Sequence, residues 1–261
     1  MHGFIMRAVL LIVAFSFSAC ASTMTPSRIG DYVSKDEKVP TNSVITMPDQ
    51  LPVQAGLLVI ADKADPGSGP GLPDEALARF REDLRQELGH DLPFTIKHLI
   101  QADDITPNRT GGDLPQFREL GKKHDAEYLA LVVVSSTEQE YPTDLDLGVD
   151  THAVPGLRTD NWTLAEFALV DLNTGQTMMQ AQGQGWATLD RPNVPGLSQR
   201  YPVVYVRPGS RHAVWPPTWE GAPNTLRVVS LNLAGKDLVY RLSHVWLEYL
   251  EGGAAARPAW K

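Results

Sequence analysis

The chain has almost no cysteine. One residue in 261, Cys20, rules out an intrachain disulfide and leaves no cysteine cluster for a metal. Basic runs are missing as well. Twenty-three Lys and Arg against 31 Asp and Glu give a net charge of −8, and nothing clusters to grip a phosphate backbone, so no nucleic-acid partner is expected. Past the first twenty residues no apolar stretch reaches the roughly twenty residues of a membrane-spanning helix. Catalytic signatures fail in turn. The seven histidines never form HExxH, no serine sits in GxSxG, and the glycines of Asp65–Gly71 lack GxGxxG spacing and a following Lys-Ser or Lys-Thr. That stretch reads as a plain connection. Asp144, Asp146 and Asp150 alternate, but the closing Glu of a calcium loop is absent, so they read as loop acids. No metal or cofactor is expected.

What is present starts at the amino terminus. Arg7, an apolar run from Ala8 to Phe17, and the small residues Ser18 and Ala19 form a secretory signal, 1–19. Phe17-Ser18-Ala19-Cys20 resembles the lipobox of bacterial lipoproteins. That resemblance implies cleavage before Cys20, acylation of its thiol and amine, and attachment to the membrane through acyl chains. Ala21 rather than Asp after the cysteine implies the outer membrane, with the domain in the periplasm. Removing Arg7 takes the net charge to −9, and the acylated cysteine leaves no free thiol.

Residues 20–55 are polar and proline-punctuated and read as a flexible tether, with a short piece at Ile29, Tyr32 and Val33 docking locally. About 35 flexible residues reach near 30 Å on average. A single domain is expected over 56–250 and a loose tail over 251–261. Gly56–Ala61 and Tyr128–Val134 are continuous apolar runs, the pattern of strands buried on both faces. Between them, Pro73 to Gly89 is helical, with Leu77, Phe80, Leu84 and Leu88 on one face. Phe94–Ile100 is a strand, and Leu114, Phe117 and Leu120 mark a short helix. Ser135–Asn161 reads as an irregular polar segment. Trp162–Asp171 and Gln176–Leu189 flank Asn173-Thr174-Gly175 and form a β-hairpin, with Asn and Gly supplying positive φ. A closing helix spans Thr225–Leu250, with Gly235 placed to kink or divide it. The fold class is α/β (α+β): a mixed sheet of about five strands packed against helices.

Asp190–Pro223 holds seven prolines among Tyr201, Tyr205, Trp215 and Trp219. A proline- and aromatic-rich loop of this length suits a partner or glycan surface, or folds back to bury its own tryptophans. These four aromatics are the candidate partner-binding residues; Cys20 is the lipidation site.

The order of elements, with the turn Val170-Asp171-Leu172-Asn173-Thr174-Gly175, resembles the periplasmic lipoproteins that share the fold of the TolB amino-terminal domain and of the curli-secretion lipoprotein. With the lipobox and Ser27–Tyr32 (SRIGDY), it most resembles the rhombotarget lipoproteins, although Gly252-Gly253 leads only to AAARPAWK rather than to a completed processing tail. The resemblance implies a non-catalytic envelope lipoprotein acting as an accessory or assembly factor on an envelope protein partner. A glycan- or peptidoglycan-binding module and a hydrolase with an unmarked carboxylate pair are the alternatives.

Overall fold

The computed structural model describes residues 25–33, 42–44, 46, 51–62, 71–101, 114–146, 153–194, 202–208 and 212–256. The strands are β1 (Ser43–Val44), β2 (Val53–Ala61), β3 (Phe94–Ile100), β4 (Tyr128–Leu145), β5 (Val154–Asp171), β6 (Thr177–Pro192), β7 (Val203–Arg207) and β8 (Ala213–Val214). The helices are α1 (Ile29–Tyr32), α2 (Asp74–Asp91), α3 (Leu114–Lys123) and α4 (Ala222–Ala256). One mixed sheet runs in the order β3-β2-β4-β5-β6-β7-β8, with β1 paired to β6. The α/β class holds. The sheet has eight strands rather than about five, because segments read as loops join it.

The two apolar runs lie side by side at its centre. β2 is parallel to both β3 and β4, and the remaining pairs are antiparallel. The chain steps from β2 to β3, then back across β2 to β4. Right-handed crossovers in opposite directions put their helices on opposite faces. Accordingly Phe80, Leu84 and Leu88 of α2 join Leu57, Val132, Phe167 and Leu238 in one core. Phe117 and Leu120 of α3 pack with Leu58, Leu131 and Val133 in the other. The four α2 residues chosen by periodicity are the four it buries.

Three segments differ from their sequence reading. Ser135–Asn161 is largely strand, since β4 and β5 pair from Tyr128↔Asp171 to Leu145↔Val154. Its polar character comes from side chains that bond across the strands, as described below, and not from a loop. Asp190–Pro223 is also partly sheet: Asp190 pairs with Val203, and Val204 with Val214. The closing helix is continuous through Gly235 and extends to Ala256, beyond Leu250. Gly235 makes room for a neighbour rather than breaking the helix, because a Cβ there would stand 2.6 Å from Phe80 Cε2.

Two glycines set the approach of α4 to the sheet. A Cβ on Gly183 would collide with backbone atoms of Leu238 and Ala234, and one on Gly185 with the backbone of Ser230 and Ala234. In the hairpin turn, Gly175 alone has positive φ (+84°), whereas Asn173 does not. The Asp171 carboxylate accepts the Asn173 N–H at 2.8 Å and the Thr174 N–H at 3.3 Å, which closes the turn without a second left-handed residue.

The amino-terminal segment is docked on the sheet. Ile29, Tyr32 and Val33 are buried against Ala168, Val170 and the α3 core. The Tyr32 hydroxyl donates to Asp62 Oδ2 at 2.8 Å. The Glu166 carboxylate accepts from the Ser27 hydroxyl at 2.5 Å and from the backbone N–H groups of Arg28 (2.6 Å) and Ile29 (3.1 Å). Among the described residues, no helix is long and apolar enough to cross a membrane.

Candidate binding face

On the α1/α3 face the apolar cluster reaches Ala168 on β5 and goes no further along that strand among the described residues. Beyond Glu166 the same face of β5 carries Leu164, Trp162, Asp160 and Arg158, since alternate residues share a face. Register brings their neighbours into line: Trp162 opposite Trp186 and Arg207, Asp160 opposite Thr188 and Tyr205, and Arg158 opposite Asp190 and Val203.

A chain of hydrogen bonds crosses four strands here. Arg207 Nε on β7 donates to Thr188 Oγ1 on β6 at 3.1 Å. Thr188 Oγ1 donates to Asp160 Oδ1 on β5 at 2.5 Å. Asp160 Oδ2 accepts from the Tyr141 hydroxyl on β4 at 2.7 Å. Burial, and next its hydrogen bond to Asp160, push the Tyr141 phenol above its usual pKa. Alongside, Arg158 forms a two-point pair with Asp190 at 2.7 and 2.8 Å. The hydrogen bond to that carboxylate raises the guanidinium pKa further. Two-point geometry of this kind is strong and directional.

Trp162 and Trp186 stack on this face with ring centroids 6.0 Å apart and an interplanar angle of 21°. They line a cavity of about 420 Å³ together with Thr25, Leu164, Gln184 and Arg207. The Thr25 hydroxyl donates to the Trp162 carbonyl at 3.0 Å, so the amino-terminal segment enters the fold at the rim of this cavity.

The opposite face of the same strands is braced by α4. Arg227 grips both oxygens of Glu138, at 2.9 and 3.1 Å. The buried Ser230 hydroxyl lies within hydrogen-bond distance of Thr163 Oγ1 (2.8 Å) and the carbonyls of Gly185 and Asn161. Arg191 pairs with Glu140. Among the described residues no group of three or more His, Cys, Asp or Glu is placed to hold a metal ion.

Of the residues singled out from sequence, Cys20 and Tyr201 lie outside the described residues. Tyr205 is half-buried on β7, with the Arg207 guanidinium 5.7 Å above its ring. Trp215 and Trp219 follow β8 and are 59% and 44% exposed. Sequence reasoning missed the Trp162–Trp186 pair. The signal was available: both tryptophans stand twelve positions from Thr174 (174 − 162 and 186 − 174), so a hairpin centred there sets them opposite each other.

No family model matches the chain, and no curated protein matches it. Solved structures resemble it distantly. A candidate homolog of neuraminyllactose-binding hemagglutinin from Helicobacter pylori is 11% identical, with 82% of this chain and 97% of that one covered and a TM-score of 0.39. A PelC dodecamer from Paraburkholderia phytofirmans is 12% identical, covering 76% and 93%, with a TM-score of 0.31. A candidate lipoprotein from Caulobacter crescentus is 12% identical, covering 78% and 93%, with a TM-score of 0.29. Such scores carry no functional assignment.

Proposed function

We propose that the chain is a non-catalytic envelope lipoprotein, anchored in the outer membrane through acylated Cys20, that serves as an accessory or assembly factor through protein contacts in the periplasm. The observation that carries the non-catalytic part is the state of the buried acids. Asp190 spends both oxygens on Arg158, Asp160 is held by Thr188 and Tyr141, and Glu166 is held by Ser27, Arg28 and Ile29. A general acid or base must reach a substrate proton. These carboxylates are turned inward to tie strands and the amino-terminal segment together.

The contact surface of this reading is the end of β8 and the segment that follows it, where Val214, Trp215 and Trp219 are 36%, 59% and 44% exposed. Aromatic residues exposed together on a polar protein suit a partner interface. A glycan-binding reading keeps Trp215 and Trp219 as platforms but loses most of Tyr205, whose ring lies under Arg207. The test is cross-linking in intact cells from photoreactive side chains at positions 215 and 219. A discrete envelope protein captured at both positions, and lost with Trp215→Ala and Trp219→Ala, supports the reading. Retention on purified peptidoglycan that those substitutions abolish favours the glycan module instead.

A further inference from the structure

We infer that the face formed by Thr25, Trp162, Trp186 and Arg207 rests on the phospholipid surface that carries the anchor. This rests on the proposed acylation of Cys20. The argument is one of reach. Thr25 is bonded to the Trp162 carbonyl at 3.0 Å, and only five residue steps separate it from Cys20. Five steps span at most about 18 Å even fully extended. A domain of this size is about 45 Å across. The leash is therefore far shorter than the body it holds, and the 35-residue tether expected from composition is not available as slack, because Ser27 to Ile29 are clamped by Glu166 and Tyr32 by Asp62. The surface around Thr25 has to face the bilayer, and the surfaces opposite it cannot.

The chemistry of that surface fits. The stacked indoles of Trp162 and Trp186 are half-buried at the cavity rim. Tryptophan carries a large apolar ring with one N–H and concentrates at the boundary of headgroups and acyl chains. Arg207 is oriented there by its Nε bond to Thr188, and its other N–H groups suit lipid phosphate. The acids on this face, Asp160 and Asp190, are buried and turned to internal donors, Asp160 to the Thr188 and Tyr141 hydroxyls and Asp190 to the Arg158 guanidinium, rather than toward the lipid.

The sole cysteine allows a test independent of processing in the cell. The chain from Cys20 onward is coupled through that thiol to a maleimide phospholipid in vesicles of phosphatidylethanolamine and phosphatidylglycerol. Tryptophan fluorescence is then read with brominated acyl chains as the quencher. Quenching is expected, and Trp162→Phe with Trp186→Phe removes most of it, while Trp215→Phe with Trp219→Phe leaves it largely intact. Arg207→Gln, which keeps both indoles and serves if the double variant fails to fold, weakens the quenching in vesicles rich in phosphatidylglycerol. No quenching of the coupled protein, or quenching lost only with Trp215 and Trp219, overturns the proposal. A failure of native acylation would show instead in the mass of Cys20 from cells and would leave this readout unchanged.

Discussion

The Glu166 carboxylate holds the backbone of Arg28: Oε2 accepts its N–H at 2.6 Å, across 138 positions of sequence. With the Ile29 N–H on the same oxygen and the Ser27 hydroxyl on the other, one buried side chain fixes the entry of the amino-terminal segment. Its hydrogen bonds favour the charged form, but burial outweighs them and raises the pKa above the usual glutamate value. A carboxyl whose pKa is higher folded than unfolded binds its proton more tightly when folded. It therefore contributes stability in full below the unfolded value, and loses it as pH rises through the raised value.

The docked segment should accordingly hold more firmly in mildly acidic buffer than at neutral pH. Hydrogen exchange at Arg28 and Ile29 should slow, after correction for intrinsic rates, as pH falls from 7 toward 5. Glu166→Gln removes that dependence while keeping an acceptor for the backbone. Unchanged pH dependence in the variant would contradict the role given to Glu166.

The Arg158–Asp190 pair makes a different prediction. The Asp190 side chain is 3% exposed and that of Arg158 is 26% exposed. Arg158→Met strands a buried carboxylate and should cost about 3 kcal/mol, toward the low end for breaking a buried pair. Asp190→Leu alone is costly for the converse reason. The double replacement should recover most of the loss, measured by denaturant unfolding of all four proteins. Additive losses in the double variant would deny the coupling.

Gly183 and Gly185 should resist any side chain. An added Cβ meets helix backbone, which cannot swing aside like a flexible side chain. Gly185→Ala should destabilise by roughly 1–3 kcal/mol through overpacking. Gly89→Ala, where the nearest neighbour of a Cβ is 3.8 Å away, should be close to neutral or stabilising in its helix. Thermal unfolding compares the two directly.

These sites differ in how visible they are in the sequence. The central strands and α2 were legible because burial imposes a period: continuous apolar residues in β2 and β4, and Leu77, Phe80, Leu84 and Leu88 at helical spacing. The distal halves of β4 and β5 were not. Glu138, Glu140, Thr159 and Asn161 on one face, and Tyr141, Arg158 and Asp160 on the other, bond across strands and erase the alternation that marks a half-buried strand. The Ser27–Glu166 contact gave no local signal, since its two ends meet only after the sheet has formed. The tryptophan pair lay between these cases, readable by counting outward from the hairpin turn.

The central claim is that Cys20 joins this fold to a membrane, and the most direct measurement is the mass of the mature amino terminus. Protein purified from the membrane fraction should begin at Cys20 and carry diacylglyceryl, with or without an amide-linked third chain, while Cys20→Ser should give an unacylated chain. An unmodified Cys20 on a native protein recovered from the soluble fraction would contradict the account, and the face at Trp162 and Trp186 would then need an occupant other than lipid.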